Sequence, residues 1–172
     1  RLVGSEMCIR DRFQSQNIED TTISGIEAGW NVRFGDREQF VLDGSAFYAR
    51  GDNDVIGQPI SSVGPAQAVV GFSWFSADEN RELRLKGRFT DAYDRVDESA
   101  GKLFKPAGYA AFDLYLTQKI GNNVIVRAGL QNLSDRTYWN WTDVRGLAPD
   151  DPILPYLAQA GRTASVSLNL VW

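Results

Sequence analysis

The chain has 172 residues, a formal net charge of -4 and no histidine. A sequence pI near 4.9 makes it a poor electrostatic match for nucleic acid, and the missing histidine removes the usual general base and the commonest metal ligand. No apolar run approaches the roughly 18 residues of a membrane-crossing helix, yet 12% of the residues are aromatic and five are tryptophan.

Residues 1–12 hold the only cysteine, Cys8, and the only methionine, Met7. They show no hydrophobic period and lack the apolar stretch of a signal peptide. The stretch resembles sequencing-adapter DNA translated in frame at a contig edge, so it is expected to be non-native, with residues 13–172 as the native segment. An ordinary loop is the alternative. Without the leader, no disulfide or thiol chemistry remains.

From Thr22 onward, strands of about ten residues alternate with turns or loops. In Ile26 to Phe34, Ile26, Ala28, Trp30, Val32 and Phe34 share one parity, and Glu27, Asn31 and Arg33 take the other. Only an extended strand has this period of two. Residues 35–38 make a short turn. In Gln39 to Ala49, Phe40, Leu42, Ala46 and Tyr48 oppose Asp43 and Ser45. A Gly, Asp, Pro and Ser-rich loop spans 50–65. The third strand, Gln67 to Phe75, carries Ala68, Val70, Phe72 and Trp74, and 76–80 is again short and polar.

The fourth strand alternates Leu83, Leu85, Gly87 and Phe89 with Arg84, Lys86, Arg88 and Thr90. A row of cations cannot enter a dry core unpaired; it fits a wet lumen or a solvent-facing sheet. After a charged loop, Gly108 to Gln118 places Ala110, Phe112, Leu114 and Leu116 against Asp113, Tyr115 and Thr117. Gly121 and Asn122 mark a tight turn. Asn123 to Leu133 sets Val124, Val126, Ala128 and Leu130 against Arg127 and Gln131, and 134–161 is a long connection. The last strand sets Ala164, Val166, Leu168, Leu170 and Trp172 against Thr163, Ser165, Ser167 and Asn169. Its 11 residues measure about 36 Å, and tilted they cross roughly 25 Å, the height of an outer-membrane apolar band.

Seven strands result, joined by short turns at 35–38, 76–80 and 119–122 and by long segments at 50–65, 93–107 and 134–161. Short and long connections fall at opposite ends, as in outer-membrane barrels with short periplasmic turns and long outer loops. The expected fold is all-β, with antiparallel up-and-down strands that form the C-terminal part of a larger transmembrane barrel. Seven strands would leave both edges open, so the chain is expected to be a fragment. A soluble β-sandwich is the alternative; it would carry loops of similar length at both ends.

Several stretches resemble the TonB-dependent outer-membrane receptors. Asn132-Leu133-Ser134-Asp135-Arg136-Thr137-Tyr138-Trp139 is similar to the ending of their penultimate strand. Gly161-Arg162-Thr163 before an alternating strand resembles their terminal segment, with Ala160 in place of the usual proline and Trp172 in place of the usual phenylalanine. Ser24-Gly25-Ile26-Glu27 resembles another of their strands. Within the family, Tyr138-Trp139-Asn140-Trp141-Thr142-Asp143-Val144-Arg145-Gly146, Gly57-Gln58-Pro59-Ile60 and Ser62-Val63-Gly64-Pro65 resemble the haem and haemoglobin receptor branch.

The resemblance implies a barrel of about 22 strands in the outer membrane of a Gram-negative bacterium, in contact with its lipid. It implies import of haem or haem iron from haem or a haem protein, driven by the TonB complex acting on a plug domain upstream. Ferric-siderophore or other nutrient receptors share the fold and remain the alternative ligand class; a soluble β-rich binding domain is the alternative of another kind. The branch's haem-binding histidines lie in regions this chain lacks. No cofactor is therefore expected to be bound by the segment itself, with haem as a transported ligand, and no enzymatic activity is expected.

Lumen-facing candidates are Arg84, Lys86, Arg88, Asp113, Arg127 and Gln131, which would meet the plug. Trp139, Trp141, Arg145 and Tyr156 are candidates for contact at the outer surface, where aromatics and arginine suit a protein partner or a flat haem face. Tyr138 and Trp139 could instead be girdle aromatics. Val166, Leu168, Leu170 and Trp172 would form the insertion signal read by the barrel-assembly machinery. Other motifs carry little: Asp52-Asn53-Asp54 with Gly57 starts like a calcium loop, but Val63 stands where its glutamate belongs. Arg50-Gly51-Asp52 is three common loop residues, Asp150-Asp151 sits between Pro149 and Pro152 in an apparent solvated loop, and two glycosylation sequons mean little in a bacterium.

Overall fold

A computed structural model describes residues 20–99, 101–170 and 172; the expectation for the leader, 1–12, lies outside them. One antiparallel sheet contains β1 (Thr21–Phe34), β2 (Phe40–Asn53), β4 (Gln67–Phe75), β5 (Arg81–Thr90), β6 (Tyr109–Ile120), β7 (Val124–Gln131) and β8 (Thr163–Leu170) in sequence order. The two-residue β3 (Gln58–Pro59) folds back onto β2. Helix α1 (Trp141–Val144) and a 3-10 turn (Leu154–Leu157) lie in the connection before β8. There is one sheet rather than two packed against each other, so the sandwich alternative does not describe this chain.

Register makes the faces continuous. Val32, Leu42, Phe72, Leu85, Leu114, Leu130 and Ala164 pair in one unbroken row across the seven long strands. The next row, Phe34, Phe40, Trp74, Leu83, Leu116, Ala128 and Val166, is also wholly apolar. On the reverse face the same strands align Arg33, Val41, Ser73, Arg84, Tyr115, Gly129 and Ser165.

Burial runs opposite to a water-soluble domain. Leu83, Leu85 and Phe89 are 41, 43 and 39% exposed, while Ser73 and Asp113 on the polar face are 1 and 3% exposed. The polar side is the occluded side, and the aliphatic side is bare.

Aromatic rings smooth the apolar face where glycine leaves a gap. A Cβ on Gly44 would lie 2.3 Å from the ring of Trp30, its cross-strand neighbour. Phe89 and Phe112 cover Gly87 in the same way, with ring centroids 5.8 Å apart. Phe34, Phe40 and Phe72 stack near the short-turn end, at 5.5 and 5.9 Å.

Several strand ends differ from the sequence expectation: β1 begins at Thr21 rather than Ile26, and β6 runs to Ile120 rather than Gln118. β2 runs on to Asn53, pairing backbone to backbone with β1 as far as Thr21, so residues 50–53 are strand rather than loop. Its polar residues there give no alternating signal, and only the ladder holds them. β7 stops at Gln131, because Asn132 adopts a left-handed φ of 51° and turns the chain away.

The three short turns lie at one end and the long connections at the other. In the 76–80 turn, Ser76 Oγ donates to Asp78 Oδ1 at 2.6 Å, and Asn80 Nδ2 donates to Asp78 Oδ2 at 2.9 Å. Hydrogen bonding from Ser76, then from Asn80, lowers the Asp78 carboxyl from 3.8 to about 2. A depressed acid supports the fold fully above its unfolded pKa, and that support fades as pH falls through the folded value. Carbon-detected NMR of the Asp78 carboxyl is expected to show a midpoint near 2, and Ser76→Ala to move it up toward 3.8.

Candidate functional site

The polar face carries an ionic ladder. Arg84 Nη2 meets Asp43 Oδ2 at 2.7 Å, and Arg84 Nη1 donates to Ser73 Oγ at 3.2 Å. Ser73 Oγ in turn donates to Glu82 Oε1 at 3.3 Å. Two rungs along β5, Arg88 Nη2 lies 3.5 Å from Asp113 Oδ2 and donates to Tyr138 Oη at 3.1 Å. Arg84 and Arg88 are therefore neutralised across strands, which is what makes their partial burial tolerable.

Lys86 and Arg127 share the face, and neither forms an ion pair among the described residues. Gln131 bonds across to β8, accepting from Thr163 Oγ1 at 3.0 Å and donating to Ser165 Oγ at 3.3 Å. All six lumen candidates thus fall on one face. Asp43, not among them, is the partner that matters most for Arg84; its parity opposite Phe40 and Leu42 was visible, its pairing was not.

Gly71 makes room for that pair. A Cβ there would lie 2.5 Å from Arg84 Nη2 and 2.8 Å from Asp43 Oδ1. Gly71→Ala is expected to push the two apart and cost about 1 kcal/mol. In an Asp43→Ala background the same change should cost almost nothing, a coupling read from a double-mutant cycle in urea unfolding.

Above the sheet, the long connections share a small core of their own. Trp141, 3% exposed, packs on Tyr93 with ring centroids 4.4 Å apart, and Val96 and Leu103 complete the cluster. Trp141 Nε1 donates to Ser61 O at 2.9 Å, tying in the 54–66 connection. Trp139 packs edge-on against Phe104 at 5.5 Å and donates from Nε1 to Leu154 O at 2.8 Å. Phe104 N donates to Leu147 O at 2.8 Å.

This corrects the expectation that Trp141 faces the outside. Its ring is consumed by Tyr93 and its N–H by Ser61, so it holds three connections together; Trp139 is half-buried for the same reason. Arg145 and Tyr156 do remain exposed, Tyr156 at 86%. Tyr138 is no girdle residue: it is buried on the polar face, stacked on Tyr109 at 4.0 Å with Arg88 6.0 Å from its ring centre.

The base of the last connection is clipped by side chains. Asn132 Nδ2 donates to Arg136 O and Ala160 O at 2.9 and 3.1 Å, and Asn132 Oδ1 accepts from Arg136 N. Asn132 N donates to Asp113 Oδ1 at 2.9 Å. Asp135 Oδ1 accepts from Arg162 N at 2.7 Å, in the space a Cβ on Gly161 would enter at 2.8 Å. The clip delivers Thr163 opposite Gln131, so β8 starts in register. Val166, Leu168 and Leu170 then lie exposed on the apolar face, with Trp172 beyond them.

The family described as TonB dependent receptor-like, beta-barrel matches residues 3–133. The chain belongs to this family, whose members are receptors and transporters. It is 26% identical over 153 residues to the hemoglobin and hemoglobin-haptoglobin-binding protein A of Haemophilus influenzae, covering 80% of this chain and 14% of that protein. Its fold is shared with the copper transporter OprC, at a TM-score of 0.74 and 20% identity over 88% of this chain and 24% of that one. It is shared also with a ferric enterobactin receptor of Pseudomonas aeruginosa, at 0.67 and 19%, over 91% and 23%. The chain thus spans about a quarter or less of the length of these relatives.

Trp141→Ala removes the shared ring of the loop core. Hydrogen exchange is expected to rise together in 54–66, 91–108 and 132–162, by roughly a hundredfold for a local loss of about 3 kcal/mol. A rise confined to 132–162 would count against a common core.

Proposed function

We propose that this chain is the C-terminal barrel wall of an outer-membrane, TonB-coupled importer, and that its cargo is haem or the iron of a haem protein. The observation that carries the membrane reading is the apolar row from Val32 to Ala164, exposed across seven strands beside an occluded ionic face. Lipid is the solvent such a face requires.

Arg84, Lys86, Arg88, Asp113, Arg127 and Gln131 line the lumen and meet a plug domain upstream. Lys86 and Arg127 are the two best placed to take carboxylates from it, since the neighbouring arginines are already paired. The TonB complex supplies energy through that plug. Val166, Leu168, Leu170 and Trp172 serve as the signal read by the barrel-assembly machinery. Arg145 and Tyr156, presented on the shared loop core, contact the haem-bearing protein; Trp139 and Trp141 hold them in place.

The haem reading is supported by the Haemophilus relative and by the Tyr138 to Gly146 stretch. The chain has no histidine, so any histidine ligand to the iron belongs to other parts of the receptor. A siderophore, copper or other nutrient receptor has the same wall, as the solved relatives do.

A receptor-deleted strain carrying the full gene is expected to grow on haem or haemoglobin as sole iron source and not on ferric siderophore. The reverse result moves the cargo to the siderophore class and leaves the wall as argued. In the same receptor, Leu168→Arg is expected to cost about 2–4 kcal/mol of membrane stability if Leu168 sits near the bilayer midplane. That cost is measured by refolding into lipid vesicles; a change within error argues against lipid contact there.

A further inference from the structure

The connection before β8 poses a closure problem. β6 and β7 are joined by 121–123, whereas β7 and β8 are joined by 132–162, the longest of the described connections. Closure cost grows as about 1.5 RT times the logarithm of loop length, so length alone makes the second pairing roughly thirtyfold less favourable than the first.

Side chains shorten that loop at its base. Asn132, 2% exposed, takes a left-handed φ of 51°, and Asp135 takes one of 52°. Asparagine and aspartate accept this conformation more readily than other residues with side chains. With the chain turned back, Asn132 Nδ2 reaches Ala160 O at 3.1 Å, and Asp135 Oδ1 accepts from Arg162 N at 2.7 Å. Gln159 N adds a rung, donating to Tyr138 O at 2.8 Å. Leu133 N donates to Phe112 O at 2.8 Å, and Asn132 N to Asp113 Oδ1 at 2.9 Å, which fixes the stem to β6.

None of these bonds reaches β1 to β5, so the unit of β6, β7 and β8 can form before the rest of the wall. This bears on the exposed row of β8. Val166, Leu168 and Leu170 line up on one side only while the strand is extended, and pairing with β7 holds it so.

We propose that Asn132 and Asp135 are positioning residues for the assembly signal: they close the long connection early, so that β8 meets the barrel-assembly machinery already paired to β7, as an ordered strand rather than a loose tail. The proposal rests on the reading of Val166, Leu168, Leu170 and Trp172 as that signal. It adds what holds the signal ready.

Assembly of the full-length receptor carrying this segment, into proteoliposomes that hold the barrel-assembly machinery, tests the clip. The folded barrel is followed by its altered gel mobility before heating. Asn132→Gly combined with Asp135→Gly keeps both left-handed positions and removes both side chains. The pair is expected to slow assembly about tenfold, within the closure penalty, while the assembled barrel unfolds in urea at the wild-type rate. A contact made early gives this split; one made only in the finished barrel speeds unfolding and leaves the assembly rate alone. Asp135→Asn, which keeps an acceptor oxygen, should assemble as wild type does. Replacing 132–162 with an Asn-Gly turn removes clip and loop together and should assemble no more slowly than wild type.

Assembly of the glycine pair at the wild-type rate overturns the proposal, whether or not its unfolding is faster. So does slow assembly of the Asn-Gly receptor, because loop closure would then not be what the clip supplies. A slow Asp135→Asn overturns the bond to Arg162 as the cause. Deleting Trp172 separates the two readings. If the deletion leaves assembly unchanged, the signal reading beneath fails; if it slows assembly and the glycine pair does not, only the clip proposal fails.

Discussion

The antiparallel register is the constraint on which the rest depends. Side chains alternate along each strand, so a slip of one residue would turn a whole apolar set onto the ionic face. Seven strands must agree, and the row from Val32 to Ala164 shows that they do. Ionic contacts on the reverse face reinforce the same agreement: Arg84 reaches past β4 to Asp43 on β2, and Arg88 reaches Asp113 on β6. A slipped β5 would lose its continuous apolar face and both pairs at once.

Turns and clips set this register from both ends. At the short-turn end, three-to-five-residue connections leave little freedom, and the left-handed Gly121, at φ 57°, closes the β6–β7 hairpin where a side chain would be strained. At the other end the connections are long and could not specify register by length. There, the Asn132 and Asp135 side chains replace the tight turn, so that residues 27 and 28 apart in sequence are joined by hydrogen bonds before β8 begins.

Strand faces were legible in the sequence because period two is a local signal, and Leu83 to Thr90 declared both faces within eight residues. The segregation of short and long connections was legible for the same reason. What could not be read depends on distant partners. Trp141 looked like a surface aromatic because nothing nearby in sequence shows that Ser61, 80 residues away, takes its N–H. The upper half of β2 was hidden because Gly51, Asp52 and Asn53 are held by backbone pairing with β1, which leaves no hydrophobic trace. Asn132 and Asp135 stood out as part of a motif, but that they clip one strand to the next follows only from their bonds.

The same few residues link the wall to its loops. Asp113 accepts Asn132 N with one oxygen and faces Arg88 with the other. Arg88 carries Tyr138, which stacks on Tyr109, whose hydroxyl donates to Asn140 at 3.1 Å next to Trp141. The path from the β6 wall to the loop core therefore passes through packed and hydrogen-bonded side chains with no flexible linker between them. A contact at the exposed Tyr156 bears on Leu154, whose carbonyl holds Trp139, and so on the same core. The three long connections are built to act as one body seated on the polar face of the sheet. Any movement of one that kept these bonds would carry the other two with it and would pull on Arg88 and Asp113.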